Sequence, residues 1–414
     1  MNKIVLDHIS IDNNLVKYDF HTNEELKVYF KTDNLFIQYE EDMTSVPLSI
    51  LTIPFVNIMA GFSWLTDSML MVDEIDRTYY DSFKRLKIAY SEQHHTTFHG
   101  IFIPSRIVDN FFDNPTKESM LMFGGGVDCH TSFLRHRETV SIIINIYGWL
   151  YNLGDYSEVD VSDANYTRNF AINMGIKATH VRSNFAAMFD LQCIDKKLCL
   201  PKIKTSYWYG ILHAMAFLSI SAPIAFKKQI PCLIIASSDR CDYQCSSFIT
   251  TDSEFSFSHQ GFTIHDGYEL SRQEKVGELA EYQKNTNTVY QIQACSFHDH
   301  NCCVCEKCFR TIVELVAENV DPRSFGFKDI EGTLKKHWVN VIYKDVAMWG
   351  VSKETFFYSQ SIKRMKENYS QYSGELKEFV DWFLNFDFYK AKREGLRKYY
   401  RKNFFKIIKR KLHI

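Results

Sequence analysis

Ten residues, V-S-I-I-I-N-I-Y-G-W at 140–149, restrict the fold of this chain more than any other stretch. A β-branched run with so little alternation has no face to leave in water. It reads as a strand buried on both sides, the environment of a parallel sheet covered by helices. Further strand candidates are S-M-L-M-F (119–123), A-T-H-V-R-S (178–183), P-C-L-I-I-A-S-S (231–238), F-T-I-H-D-G (262–267) and T-V-Y-Q-I-Q-A-C (288–295). Helical patterns lie between them. One follows Asp163, read as its cap, with Tyr166, Phe170 and Met174 four residues apart; others cover 208–220 and 271–282. Strands alternating with helices predict an α/β fold with a doubly wound parallel sheet and ligands at the carboxyl ends of its strands.

The flanks differ from this middle. Residues 1–115 read as a β-rich N-terminal module, through short runs such as L-K-V-Y-F, L-F-I-Q-Y-E and L-K-I-A-Y. The longest uncharged stretch, 44–66, matches a membrane span in length, but Pro47, Pro54 and Asn57 favour strand and turn in a soluble domain. The expected organisation is therefore 1–115, an α/β domain at 116–325, and a helical C-terminal region at 326–414. The start of the chain has no apolar run of signal-peptide type, and eleven cysteines then point to thiols in a reducing compartment, hence a cytoplasmic protein.

Two motifs carry chemistry. The first is F-G-G-G-V-D-C-H-T at 123–131, directly after the first strand of the α/β domain and opening a helix. Consecutive glycines let a bulky anion approach the backbone, and successive N–H groups running into a helix N-terminus form a phosphate nest. Asp128 stands at its exit, placed to hold a divalent cation or an amine. The motif is neither a Walker A loop nor the dinucleotide G-x-G-x-x-G. A plain glycine turn is the competing reading.

The second motif is Cys295-x6-Cys302-x2-Cys305-x2-Cys308. Four thiolates at this spacing close a tetrahedral shell around zinc, which makes the ion structural, with no open position for water. Ile312 stands where a ferredoxin-type run would carry its next cysteine, which disfavours an iron–sulfur cluster. Cys303 is left as a spare, and His298 or His300 as a substitute ligand.

Strand, G-G-G-V-D-C and helix together resemble the S-G-G-x-D-S pyrophosphate loop of the PP-loop ATP pyrophosphatase superfamily, whose sheet is of the adenine nucleotide alpha hydrolase type. With the cysteine site, the chain resembles the 7-cyano-7-deazaguanine synthase branch over roughly 116–325. Smaller matching pieces are S-N at 183–184, L-H-A-M-A at 212–216, I-A-S-S at 235–238 and H-D-G-Y-E-L-S-R-Q-E-K at 265–275. The resemblance implies ATP bound by Phe123, Gly124, Gly125, Gly126, Val127, Asp128 and Cys129, with Asn184 as a further nucleotide contact and Mg²⁺ near Asp128. Arg272 and Lys275, three residues apart on one helical face, would then clamp the phosphates. Gly124 and Cys129 depart from the family pattern by replacing two serines.

The activity expected is ATP-dependent, adenylation-type activation of a small-molecule carboxylate or carbonyl, followed by C–N bond formation with an amine or ammonia. The alternative is a degenerate nucleotide-binding sensor or scaffold without turnover, which the two missing hydroxyls motivate. Net charge is −2, yet 390–414 carries eleven Lys/Arg against Glu394 alone, so the remainder is near −12. As a basic amphipathic helix, this tail suits docking on the protein's own body, then peripheral contact with the inner face of a membrane. Nucleic acid is disfavoured by the acidic remainder.

Overall fold

The computed structural model describes residues 1–150, 158–237, 253–287, 290–295, 300–303, 305–328, 358–390, 393–394, 396–398 and 400–401; in 158–161 it describes the backbone only. The chain forms two compact units, Met1–Gly124 with Ser132–Glu269, and Gly125–Thr131 with Leu270–Ile414. These divisions fall elsewhere than the three regions read from composition.

The first unit is built on one mostly parallel ten-stranded sheet, which makes the fold α/β. Its strands are β1 (Lys3–Asp12), β2 (Leu15–Thr22), β3 (Asn34–Gln38), β4 (Met69–Asp76), β5 (Ile101–Val108), β6 (Ser119–Met122), β7 (Val140–Tyr147), β8 (Lys177–Ser183), β9 (Cys232–Ala236) and β10 (Phe262–Asp266). They lie in the order β10-β9-β6-β7-β8-β3-β2-β1-β4-β5. The block β8-β7-β6-β9-β10 is parallel throughout. Counted along the chain, its order is 3-2-1-4-5, so the winding reverses beside β6. In open α/β sheets such a reversal marks the strand ends at which ligands gather, and Phe123 and Gly124 follow β6 at its carboxyl end. The apolar run at 140–149 becomes β7, buried from Ile142 to Ile146. Five of the expected strands are present. The expected strand at 288–295 is not: residues 290–295 are irregular, and their backbone is tied by hydrogen bonds to turns and side chains rather than to a neighbouring strand.

The helices used below are α1 (Leu48–Leu65), α2 (Arg77–Gln93), α3 (Val127–Arg135), α4 (Glu158–Met174), α5 (His213–Lys227), α6 (Arg272–Thr286), α7 (Glu306–Ala317), α8 (Ser359–Glu367) and α9 (Gly374–Leu384). Asp163 lies inside α4 rather than at its cap. An acidic side chain tolerates a helix interior at small cost, so its capping preference misplaces the start.

The N-terminal segment corrects the sequence reading. It is mixed rather than β-rich, and its five strands join the same sheet as β6–β10. Residues 48–65 form α1 instead of strand and turn. Proline normally breaks a helix interior. Here Pro54 is carried by burial, because every residue from Ser49 to Leu65 is enclosed. Asn57 finds tertiary partners, donating to the Met215 carbonyl at 2.6 Å and accepting from the Tyr79 hydroxyl at 2.9 Å. L-K-I-A-Y belongs to α2, whose buried residues Tyr79, Phe83, Leu86 and Tyr90 follow the helical period. Likewise L-K-V-Y-F begins in a one-turn helix, Glu24–Lys27. Two segments, Leu48–Leu65 and Trp208–Lys227, are long and apolar enough to cross a bilayer, and both are mostly buried within the protein.

In the second unit, α7, α8 and α9 pack around Phe309, Tyr358, Phe379 and Phe383, and α6 packs on α7. The expected helical character after residue 326 is present in α8 and α9. Residues 329–357 and 402–414 fall outside the described ones; within the basic tail 393–394, 396–398 and 400–401 are helical, and the rest of its amphipathic reading lies outside the described residues.

Candidate functional site

Both chemical motifs supply residues to the second unit. The sulfurs of Cys295, Cys302, Cys305 and Cys308 all lie within 4.8 Å of one another. Cys302 to Cys308 is 3.9 Å and Cys295 to Cys305 is 4.0 Å. Zn–S bonds of 2.3 Å in a tetrahedron require about 3.8 Å between sulfurs. The group can hold a metal ion such as zinc.

Local structure explains the gathering. Cys305 caps α7, and its sulfur accepts from the Cys308 N–H at 3.5 Å. Cys303 has φ +57°, a left-handed turn that brings Cys302 back toward the helix. Asn301, which sequence reading passed over, anchors the far side. Its Oδ1 accepts from the Ala294 and Cys295 N–H groups at 2.8 and 3.3 Å, and its Nδ2 donates to the Ile292 carbonyl at 2.6 Å. The signal available was an Asn directly before the second cysteine, a residue type that often pins turns through its side chain.

The electrostatics of the thiols favour a cation. A hydrogen bond from Cys308 holds the Cys305 thiol well below its ordinary pKa. The same contact, then burial, pushes Cys308 well up. A divalent cation between them would favour the thiolate at both.

The second group surrounds Asp128, in the first turn of α3. The sequence S-R-Q-E starts α6 with a full capping box: the Ser271 hydroxyl accepts from the Glu274 N–H at 3.2 Å, and Glu274 accepts from the Ser271 N–H at 2.6 Å. This fixes Arg272 and Lys275 on the first turn. Arg272 reaches Asp128 Oδ2 through Nη1 at 3.1 Å, and Lys275 reaches Oδ1 through Nζ at 3.2 Å. Arg272 also pairs with Glu314 at 3.1 Å and donates to the Thr311 hydroxyl at 3.2 Å, both on α7. Lys275 is enclosed, with 1% of its side chain exposed, whereas Asp128 and Arg272 keep 20%. Burial opposes ionisation of Asp128, but Lys275 and then Arg272 outweigh it and hold its carboxyl below the usual range. Burial dominates at Glu314 and raises its pKa despite Arg272. Glu314 and Thr311 had no spacing signal; only the packing of α6 on α7 brings them in.

The glycines divide by conformation. Gly125 has φ +80° and requires glycine, whereas a Cβ at Gly124 or Gly126 would meet nothing within 4 Å. Open space over these two leaves the backbone approachable. At the start of α3, the Cys129 thiol turns inward and donates to the Gly126 carbonyl at 3.1 Å. His130 is buried and held neutral, its pKa pushed down to about 3 by burial against a hydrogen bond to the Gly125 backbone.

In the first unit, Phe123 is buried and stacks on Phe170. Asn184 sits at the end of β8, where its amide is engaged by β3: Oδ1 accepts from the Phe36 N–H at 2.9 Å and Nδ2 donates to the Asn34 carbonyl at 3.1 Å. His298 lies outside the described residues. Comparison with known proteins adds no family: no family model, curated protein or solved structure matches the chain.

Proposed function

We propose that the bend at 124–129 binds the phosphates of ATP in a fold of PP-loop type, and that the protein is an ATP-dependent, C–N bond-forming synthase. The observation that carries this reading is the convergence of Arg272 and Lys275 on Asp128, in the first turn of a helix that follows an open glycine bend. Helix N–H groups and two fixed cations suit a polyphosphate, and the bend follows in sequence the strand at which the sheet order reverses. The four cysteines fit structural zinc, since four thiolates saturate the ion.

In the proposed reaction a substrate carboxylate oxygen attacks the α-phosphorus of ATP. The P–O bond to pyrophosphate breaks, giving an acyl-adenylate. An amine or ammonia then attacks the acyl carbon and AMP leaves with the electron pair of the C–O bond. Arg272 and Lys275 take up the charge that grows on the leaving pyrophosphate. Asp128, held ionised, is the carboxylate that would hold Mg²⁺, whose chemistry here is neutralisation of phosphate charge.

The test is Gly126→Val in a pyrophosphate-release assay. The backbone has room for a side chain at this position, so the variant covers the amides without a clash. ATP turnover should fall at least about tenfold, the loss that follows about 1.4 kcal/mol of transition-state destabilisation. Unchanged turnover removes the bend from the mechanism.

The inward hydrogen bond of Cys129 favours a second reading, a sensor that binds nucleotide without turnover, because no side-chain hydroxyl at that position meets a phosphate. Calorimetric binding of ATP with no product formed would support it.

A further inference from the structure

The metal-ligand group and the glycine bend share a connection that neither motif announces. Residues 290–295 run between them. At the bend end, the Gln293 N–H donates to the Gly125 carbonyl at 2.9 Å, and the Tyr290 hydroxyl bonds His130 Nδ1 at 3.0 Å. His130 lies on the first turn of α3 and also bonds the Gly125 backbone. At the metal end the same segment finishes in Cys295, and Asn301 grips it at Ile292, Ala294 and Cys295.

A second arm runs through α7. Cys305 and Cys308 lie at its start, and Thr311 and Glu314, one and two turns on, hold Arg272. The segment 290–295 forms no ladder with a strand among the described residues; its backbone is held instead by bonds such as these and by Ile292 N–H to the Phe325 carbonyl at 3.2 Å, and it ends in a metal-ligating cysteine. Gly125 is the glycine whose left-handed conformation sets the bend.

We propose that 290–295 is a positioning strap that couples metal loading at Cys295 to the shape of the glycine bend, so that metal binding and anion binding at the bend strengthen each other. Gln293, Tyr290 and His130 are positioning residues in this device. The inference rests on the reading of the bend as an anion site. Because coupling between two sites is reciprocal, the factor must be the same in both directions.

The test uses the full chain and inorganic pyrophosphate as the probe. Calorimetry compares zinc-loaded with metal-depleted protein, and a chelator competition measures zinc affinity with and without pyrophosphate. Metal removal should weaken pyrophosphate binding at least about fivefold, and pyrophosphate should tighten zinc by the same factor. Tyr290→Phe, with its zinc content unchanged, should weaken pyrophosphate several-fold without unfolding the unit. Amide exchange at 125–129 should quicken on metal removal while β6–β9 amides stay protected. Equal pyrophosphate affinity with and without metal, in protein whose bend amides exchange at the same rate, overturns the coupling alone. Zinc-loaded protein that binds no pyrophosphate overturns the anion-site reading, and the inference with it.

Discussion

Asp128→Asn removes the carboxylate whose two oxygens face Arg272 and Lys275, and the cost can be worked from the geometry. At an effective dielectric of about 20, unit charges 3.2 Å apart attract by roughly 5 kcal/mol, and desolvation takes back a large part. Breaking a buried pair by removing one partner costs about 3–5 kcal/mol, since the other charge is left enclosed. Lys275 is that charge, with 1% of its side chain exposed, while Arg272 keeps Glu314. The lower end applies because Asp128 is partly exposed: about 3 kcal/mol for Asp128→Asn. Lys275→Met should cost about 2 kcal/mol, because Asp128 retains Arg272. The double variant removes both members of the pair and should lose about 3 kcal/mol in total, leaving a coupling near 2 kcal/mol. Urea denaturation of all four zinc-loaded proteins measures the cycle, with metal held constant so that linkage does not enter. Losses that simply add, to within about 0.5 kcal/mol, would refute the pairing and with it the picture of two cations held ready around one carboxylate.

Elemental analysis should find one zinc per chain; Cys305→Ser and Cys308→Ser should lose it and destabilise the second unit, while Cys303→Ser, outside the sulfur group, should keep it. Asp266 accepts from Ser132, Arg135 and His136 at 2.7, 3.2 and 2.9 Å. Burial opposes its ionisation, yet these donors, His136 first, bring its pKa down to about 2 from 3.8. A lowered carboxylate pKa stabilises the fold above the unfolded value and loses that contribution as pH falls toward the folded one. Asp266 should therefore contribute about 2 kcal/mol at neutral pH that disappears between about pH 4 and pH 2. Asp266→Asn should flatten that part of a stability–pH curve, and an unaltered curve would discount the ionised network. Asn184→Ala should cost about 2 kcal/mol in denaturation because two backbone groups of β3 lose their partners. Full stability with weakened ATP binding would assign Asn184 to the nucleotide instead.

What the chain alone determined is what short-range geometry encodes. The continuous apolar run gives β7, the glycines and Asp128 give a bend opening a helix, S-R-Q-E gives the capped start of α6, and the cysteine spacing gives a compact sulfur group. Each is decided by contacts among residues a few positions apart, where period, capping and loop closure leave little choice. Tertiary structure alone decided the rest. It turned 48–65 into a buried helix, because packing and the partners of Asn57 outweigh what Pro54 signals locally. It placed β1–β5 in the same sheet as β6–β10. It also brought Arg272 and Lys275 to a carboxylate some 140 positions earlier, gave Arg272 the partners Glu314 and Thr311, and set Asn301 against the backbone of Ala294 and Cys295. Such meetings depend on which surfaces bury one another, a sum over many distant contacts that no local spacing records.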